Sequence, residues 1–237
     1  MTDRFGVILL SAGSGSRMKS DIPKQYIEVE GKPVLYYSLR QFEINPNVER
    51  IVIVVSGNDI NMVKENIVDK YSFTKVVDVV EGGKERYNSV YNGLQALGDV
   101  DYVMIHDGAR PCISEKVINR LVCNVKEYKA CIPVVASKDT VRIADEDGFV
   151  KMTPDRSCVY NVQTPQTFEM KGIVDAFDKY MSSKEYESVN ITDDAMVWEI
   201  GNEIPIKLVE SEYSNVKITT PEDLEFVKKI IETDNCA

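Results

Sequence analysis

Two basic residues stand in a glycine-containing loop near the start of the sequence. Arg17 and Lys24 both lie within LLSAGSGSRMKSDIPKQ, which begins as an apolar run typical of a strand. The backbone N–H groups of such a loop can bind an anion, and two nearby cations add charge to the same place. A triphosphate suits this arrangement. The alternative is a strand-to-helix turn that carries surface charges.

The loop follows neither of the two common phosphate-binding patterns. The dinucleotide fingerprint G-x-G-x-x-G needs a third glycine where Met18 stands. The Walker pattern needs glycine directly before its lysine and Ser or Thr directly after it, whereas Lys24 lies between Pro23 and Gln25. The loop therefore indicates an anion site of another kind.

A second group of reactive side chains follows the apolar run in DYVMIHDGARP. Asp107 is expected at the carboxyl end of a strand, where doubly wound sheets bind ligands. A carboxylate there can hold Mg²⁺, or it can cap a helix. Arg110 offers a planar fork for a phosphate. His106 is the single histidine and is predicted to be a packed scaffold residue; a Ser-His-Asp hydrolase would need it, and no G-x-S-x-G motif is present.

A helix is predicted to start near Lys84 in GGKERYNSV, directly after two glycines. Arg86 and Ser89 are three residues apart and therefore share one face of that helix. Together with backbone groups they could read the edge of a base. The alternative is an ordinary first turn with a solvated arginine.

Further polar residues surround a predicted hairpin, DTVRIADEDGFVKM. This segment has too little apolar content for a core of its own, so it should protrude or pack on a neighbour. Thr140, Arg156 and Thr164 supply two hydroxyls and a guanidinium, which suit a phosphomonoester. Arg156 could instead pair with Asp155 at the surface.

The order of the elements predicts the fold class. Short apolar runs such as FGVILL and RIVIVV alternate with segments whose apolar residues recur every three or four positions. This is the pattern of an α/β protein with a doubly wound, mostly parallel sheet of Rossmann-like type. We expect one domain over residues 1–237, with a β-arm at about 139–162.

Composition and charge limit the classes of molecule that the chain can bind and indicate its environment. The chain has 237 residues and a formal net charge of −10, which argues against a nucleic-acid groove. No segment approaches the ~20 apolar residues of a membrane span. The cysteines are odd in number and lack C-x-x-C spacing, so free thiols in a reducing cytoplasm are expected for Cys112, Cys123, Cys131, Cys158 and Cys236.

Several spaced motifs resemble one family. AGSGSRM followed by PKQ resembles the signature of sugar-nucleotide transferases. Downstream, the motifs GGKERYNSVYNGL, HDGARP, KDT, QTPQTF, ITDDA and NVKITTPEDL look like those of 2-C-methyl-D-erythritol 4-phosphate cytidylyltransferases. The resemblance covers residues 5–231 in the same order.

The resemblance implies a reaction and a set of site residues. The reaction is attack of a sugar-alcohol phosphate on the α-phosphorus of CTP, with loss of pyrophosphate, in non-mevalonate isoprenoid synthesis. Mg²⁺ is expected on Asp107, and catalysis is expected from Arg17, Lys24 and Lys217. The residues implied for CTP are Ala12, Gly13, Gly15, Arg17, Lys24, Gly82, Arg86, Ser89 and Gly108. Those implied for the second substrate are Arg110, Thr140, Arg156, Thr164, Thr192 and Lys217.

The same resemblance implies a homodimer in which the arm carries Thr140 and Arg156 to the other subunit's pocket. Lys217 is expected on a strand, and Gly108 stands where the family usually has alanine, which predicts a slightly more flexible loop. Two other functions remain open at this point. One is ribitol-5-phosphate cytidylyltransferase, a sister family; the other is a non-catalytic nucleotide-binding regulator, which the joint presence of Lys24, Asp107 and Lys217 disfavours.

Overall fold

A computed structural model describes residues 3–13, 22–183 and 190–235. Its strands are β1 Phe5–Leu10, β2 Glu28–Val29, β3 Lys32–Pro33, β4 Val48–Val55, β5 Val76–Glu81, β6 Tyr102–Asp107, β7 Ala130–Ala136, β8 Ile143–Ala144, β9 Val150–Met152, β10 Tyr160–Val162, β11 Gln166–Glu169 and β12 Lys207–Glu210.

The helices lie between these strands, and short 3₁₀ turns begin at Lys24, Gly57 and Arg156. A π-helical stretch, Lys64–Asp69, continues the second helix. The α-helices are α1 Val34–Ile44, α2 Ile60–Val63, α3 Arg86–Leu97, α4 Glu115–Tyr128, α5 Met170–Ser182, α6 Asp194–Gly201 and α7 Pro221–Asn235.

Within the described part of the chain, the central sheet has eight strands, in the order β10-β7-β11-β6-β1-β4-β5, with β12 also paired to β7. Strands β6, β1, β4 and β5 are mutually parallel, while β11 and β10 run antiparallel to their neighbours. A parallel sheet is covered on both faces, which explains why its strands are apolar runs rather than alternating ones. The predicted mostly parallel α/β fold is confirmed.

Alternate side chains of each central strand enter two different cores. Phe5, Val7 and Leu9 pack in the core shared with α1 and α4, whereas Ile8 packs with α3, α5 and α6. Period-two alternation along the strand thus gives each face its own apolar layer. Helices cover both faces of the sheet, and the carboxyl ends of β1 and β6 lie side by side, with Leu10 opposite Asp107.

The predicted hairpin is formed by β8 and β9, which pair antiparallel. Its large apolar side chains are exposed: Phe149 is 72% and Val150 is 63% accessible. The segment therefore does not bury its apolar side within one chain. Over the described residues, no helix is both long and apolar enough to cross a membrane.

Candidate active site

Two neighbouring cavities open at the carboxyl ends of β1 and β6. The larger, of about 270 Å³, begins where the glycine loop leaves β1 and is lined by Ala12, Gly13, Lys24 and Ser89, among others. Together with Arg86, five of the predicted CTP-binding residues therefore share one cavity. Gly15 and Arg17, also predicted there, lie outside the described residues.

The smaller cavity has a volume of about 140 Å³ and collects residues predicted for the second substrate. Arg110, Thr164 and Thr192 line it. Arg86, Asp107 and Lys217 line both cavities. The two cavities therefore adjoin at one carboxylate and two cations.

Asp107 is the electrostatic centre of this junction. Its Oδ2 lies 2.9 Å from Lys217 Nζ and 3.4 Å from Arg110 Nε. Burial opposes ionisation of this carboxyl, but the charges of Lys217, Arg86 and Arg110 outweigh it and hold the pKa of Asp107 well below its ordinary range. The carboxylate is thus ionised at neutral pH and hard in character, as a magnesium ligand must be.

Lys217 does not lie on a strand, and that prediction was wrong. It belongs to an irregular segment between β12 and α7. The next residue, Ile218, is fully buried in a small core with Val34 and Val227, and its N–H donates to the carbonyl of Ala109 at 2.9 Å. The buried Ile218 side chain and its backbone hydrogen bond therefore hold Lys217 beside the loop after β6.

Two other cations tie the same segment to the site. Lys24 Nζ donates to the carbonyl of Ile218 at 2.7 Å, and Arg110 Nη1 donates to that of Asn215 at 2.8 Å. Asn215 is itself buried and donates to the carbonyl of Thr164 at 2.9 Å. The segments PKQ, HDGARP, QTPQTF and NVKIT thus meet through polar contacts that involve backbone carbonyls.

Arg86 is not a solvated residue, and it does not present its whole fork to a base. Its Nη1 and Nη2 donate to Asp194 Oδ1 and Oδ2 at 2.8 and 2.7 Å. The helix starts at Arg86, close to the predicted start near Lys84, and Glu85 and Asn88 form a capping box at its first turn. The guanidinium therefore belongs to a partly buried ion pair at the wall between the cavities.

Ser89 lines the larger cavity, and Gly82 packs closely against Ser89 and Ala12. The Ser89 hydroxyl accepts the N–H of Gly83 at 3.0 Å and donates to the carbonyl of Glu85 at 3.3 Å. A Cβ on Gly82 would lie 2.7 Å from Ala12 Cβ and 2.9 Å from Ser89 Oγ. Only glycine lets this turn approach the loop after β1 so closely.

The hydroxyl of Thr164 forms hydrogen bonds within the protein, to Asp107 and His106. It accepts the N–H of Asp107 at 3.0 Å and lies 3.0 Å from His106 Nδ1, while His106 Nε2 lies 3.1 Å from the carbonyl of Arg110. These contacts fit a neutral imidazole that donates through Nε2 and accepts the Thr164 hydroxyl at Nδ1. Burial lowers the pKa of His106 to about 4, in agreement with the predicted scaffold role. Thr164 therefore holds the Asp107 backbone rather than offering a free hydroxyl to a phosphate.

Gly108 is a point of close packing, and the predicted extra flexibility of its loop stays a prediction. A Cβ at this residue would lie 2.4 Å from Ser11 Oγ, 3.0 Å from the carbonyl of Leu10 and 3.1 Å from Leu35 Cδ1. Ser11 fills the space that an alanine methyl would take.

The arm residues stand apart from both cavities. Thr140 and Arg156 are exposed and line neither cavity over the described residues. Asp155 accepts the N–H and hydroxyl of Ser157 at 2.9 and 2.8 Å, so it caps the following turn. The predicted contribution of Thr140 and Arg156 therefore needs a second subunit, and it stays a prediction.

Sequence reasoning missed Gln25, Gln166 and Asp194. Gln25 is buried and donates to the carbonyls of Ser11 and Gly13 at 2.7 and 3.2 Å, which closes the start of the glycine loop. Asp194 pairs with Arg86, and Gln166 accepts the backbone N–H of Asp194. Each stands inside a motif already noted, PKQ, QTPQTF or ITDDA, but a buried side chain has no local signal in a sequence.

The fold and the paired cavities define an α/β nucleotidyltransferase, with a glycine loop at the end of the first strand and cations between two sites. The model of the 2-C-methyl-D-erythritol 4-phosphate cytidylyltransferase family matches residues 5–233. The chain belongs to this family.

Individual relatives agree over nearly their whole length. The enzyme of that name from Lachnoclostridium phytofermentans is 52% identical, over 97% of each chain. The one from Lachnospira eligens is 44% identical, over 92% of this chain and 95% of its own. The crystal structure of 4-diphosphocytidyl-2C-methyl-D-erythritol synthase from Anaerococcus prevotii superposes with a TM-score of 0.85 at 36% identity, over 98% of this chain and 97% of its own.

Proposed function

We propose that the chain joins CTP to 2-C-methyl-D-erythritol 4-phosphate and releases pyrophosphate. The observation that carries the proposal is that Arg86, Asp107 and Lys217 line both cavities. A nucleotide in the larger cavity and a phosphomonoester in the smaller would meet at these residues. The family's substrates have the matching chemistry, a triphosphate and a sugar-alcohol phosphate.

The reaction needs no covalent intermediate and no general base. A phosphate oxygen of the second substrate attacks the α-phosphorus of CTP, a new P–O bond forms, and the bond to the leaving pyrophosphate breaks. Because the nucleophile is already an anion, the protein has to align two polyanions and stabilise charge on the transferring phosphoryl group. Lys24, Lys217 and Arg110 supply that charge within the cavities, and Arg17 is proposed to add to it.

The donor chemistry of the site fits Mg²⁺. Among the described residues, no cluster of three or more His, Cys, Asp or Glu side chains is placed to hold a metal. Mg²⁺ is commonly bound through one or two carboxylates together with substrate phosphates, so Asp107 and the nucleotide are a sufficient set. When bound, the ion would neutralise phosphate charge beside Asp107.

A homodimer is proposed from the arm. Ile143, Phe149, Val150 and Met152 are exposed apolar residues on β8, β9 and the turn between them, and a two-stranded ribbon is not stable by itself. Pairing with a second copy would cover them and bring Thr140 and Arg156 towards that copy's smaller cavity. A cytoplasmic location is proposed as well, supported by the free thiols of the four described cysteines.

The test is release of pyrophosphate by the purified protein. Each common nucleoside triphosphate is combined with 2-C-methyl-D-erythritol 4-phosphate or with ribitol 5-phosphate, with and without Mg²⁺. The proposal expects the highest kcat/KM with CTP, the methylerythritol substrate and Mg²⁺. Faster turnover with ribitol 5-phosphate would overturn the substrate assignment, and full activity in a metal chelator would overturn the metal assignment.

A further inference from the structure

The Arg86–Asp194 pair links two segments that are far apart in the chain. Arg86 opens α3, and Asp194 opens α6. The two side chains meet end-on, through two hydrogen bonds of 2.8 and 2.7 Å. This geometry fixes the plane of the guanidinium as well as its place, which a single contact would not do.

Only one partner of this pair can reach a substrate. The Asp194 side chain is 1% exposed, whereas that of Arg86 is 29% exposed and lines both cavities. The end-on contact uses two of the five guanidinium N–H groups, and three remain for other acceptors. Asp194 can therefore act on the reaction only through the arginine.

Gln166 holds the carboxylate in place from β11. Its Oε1 accepts the backbone N–H groups of Asp194 and Ala195, both at 2.9 Å, and its Nε2 donates to Asp193 Oδ2 at 2.8 Å. Gln166 is itself 1% exposed. The start of α6 is thus tied to the central sheet at three points by one side chain.

The charges of the pair also reach the junction. Burial lowers the pKa of Arg86, but the Asp194 charge and its hydrogen bonds outweigh this and raise the pKa. Burial also raises the pKa of Asp194, and the charge and hydrogen bonds of Arg86 act in the opposite direction. The cation of Arg86 in turn helps to keep Asp107 ionised. The positive charge of Arg86 at the junction is therefore stabilised by Asp194, whose carboxylate does not line either cavity.

We propose that Asp194 is a positioning residue of the transfer reaction, which holds the Arg86 guanidinium at the wall shared by both substrates. The inference rests on the proposed function, since it assigns the two cavities to the two substrates. Gln166 supports the same arrangement by fixing the backbone of Asp194. Loss of the carboxylate should displace the guanidinium, and a displacement of about 1 Å near reacting groups can cost about 100-fold in rate.

The test compares Asp194→Asn, Arg86→Ala and the double variant with the wild type. Glu199→Gln is the control, because it removes a carboxylate from the exposed side of the same helix. Pyrophosphate release is measured with CTP and 2-C-methyl-D-erythritol 4-phosphate, each varied, and folding is followed by the melting temperature. We expect Asp194→Asn to lower kcat/KM by about 100-fold per folded molecule. We expect Glu199→Gln to match the wild type.

The double variant separates positioning from general support of the fold. If Asp194 acts through Arg86, Asp194→Asn causes no further loss of activity in the Arg86→Ala background. Losses that multiply in the double variant, or an Asp194→Asn protein of near-normal activity per folded molecule, would overturn the proposal.

Arg86→Lys keeps the inference testable if Asp194→Asn does not fold. It keeps the positive charge but loses the fork, so we expect a loss close to that of Arg86→Ala; recovery to wild-type activity would count against a role for the fork. A wild-type protein inactive with this substrate pair would refute the proposed function, whereas an active wild type with an unaffected Asp194→Asn variant would refute only the positioning role.

Discussion

Gly108→Ala tests whether the loop after β6 is limited by space or by flexibility. The added methyl carbon would lie 2.4 Å from Ser11 Oγ, well inside van der Waals contact. The Leu10 carbonyl and Leu35 Cδ1 approach it at 3.0 and 3.1 Å, so the methyl has little room to move away. Gly108 does not adopt a positive φ, so the backbone itself would accept alanine.

The cost follows from overpacking of a buried site. Forcing an extra methyl into such a position typically costs about 1–3 kcal/mol. Ser11 is 3% exposed, and its hydroxyl has no hydrogen-bond partner among the described residues. Ser11→Ala should therefore be neutral, or stabilising by about 1 kcal/mol, because it removes a buried polar group without breaking a bond. The 2.4 Å contact disappears in that background.

The assay is a double-mutant cycle by urea unfolding at neutral pH. Trp198, the single tryptophan, is fully buried against Phe168 and gives a fluorescence signal for global unfolding. We expect Gly108→Ala to cost at least about 0.5 kcal/mol less in the Ser11→Ala background than in the wild type, because contacting residues couple by about 0.5–3 kcal/mol. Equal costs in the two backgrounds would show that Ser11 is not the obstacle, and no cost in either would show that the loop has room.

Three further results are expected. Lys24→Ala should lower kcat by about 100-fold or more, as when a preorganised donor is removed; near-normal kcat with only a raised KM for CTP would mean that this lysine merely binds. Inactive Lys24→Ala and Arg156→Ala subunits should regain activity when they are mixed and exchange, and no recovery would count against a shared site. The third concerns His106, whose pKa burial lowers to about 4 from 6.5. The unfolded chain therefore takes up a proton first as pH falls between these values, so about 3 kcal/mol of stability should be lost on acidification. The free energy of unfolding, measured with urea at several pH values in this range, should fall less steeply with decreasing pH for His106→Gln than for the wild type. An equal dependence on pH would contradict the low pKa of His106.

The sequence predicted the sheet and the hairpin because their signals are local. An apolar run such as FGVILL indicates a strand that is buried on both faces. The segment ADEDG between two short alternating runs indicates the turn of a hairpin. The place of Asp107 was predictable for a similar reason, because a polar residue that ends a buried parallel strand must stand at the ligand-binding edge.

The sequence did not predict partners that are far apart in the chain. Arg86 and Asp194 are separated by 108 residues, and no local period reports their contact. Lys217 was misplaced on a strand because the apolar residues beside it anchor α7 instead of pairing in the sheet. The packing of Gly108 against Ser11 likewise depends on the spacing of two strands, which side-chain types alone do not define.

The junction of the two cavities explains how an acidic protein can bind two anions. The net charge is −10, yet beyond ~8 Å exposed charges are largely screened at physiological salt, so the nearest groups determine the field in the cleft. Most of the described cations there already contact a protein oxygen: Lys24 that of Ile218, Lys217 that of Asp107, Arg110 that of Asn215, and Arg86 those of Asp194. These contacts hold the ammonium and guanidinium groups in place before a phosphate arrives, so less conformational entropy is lost on binding. The lysines can exchange a protein oxygen for a phosphate oxygen, whereas Arg86 can bind through its remaining N–H groups without leaving Asp194.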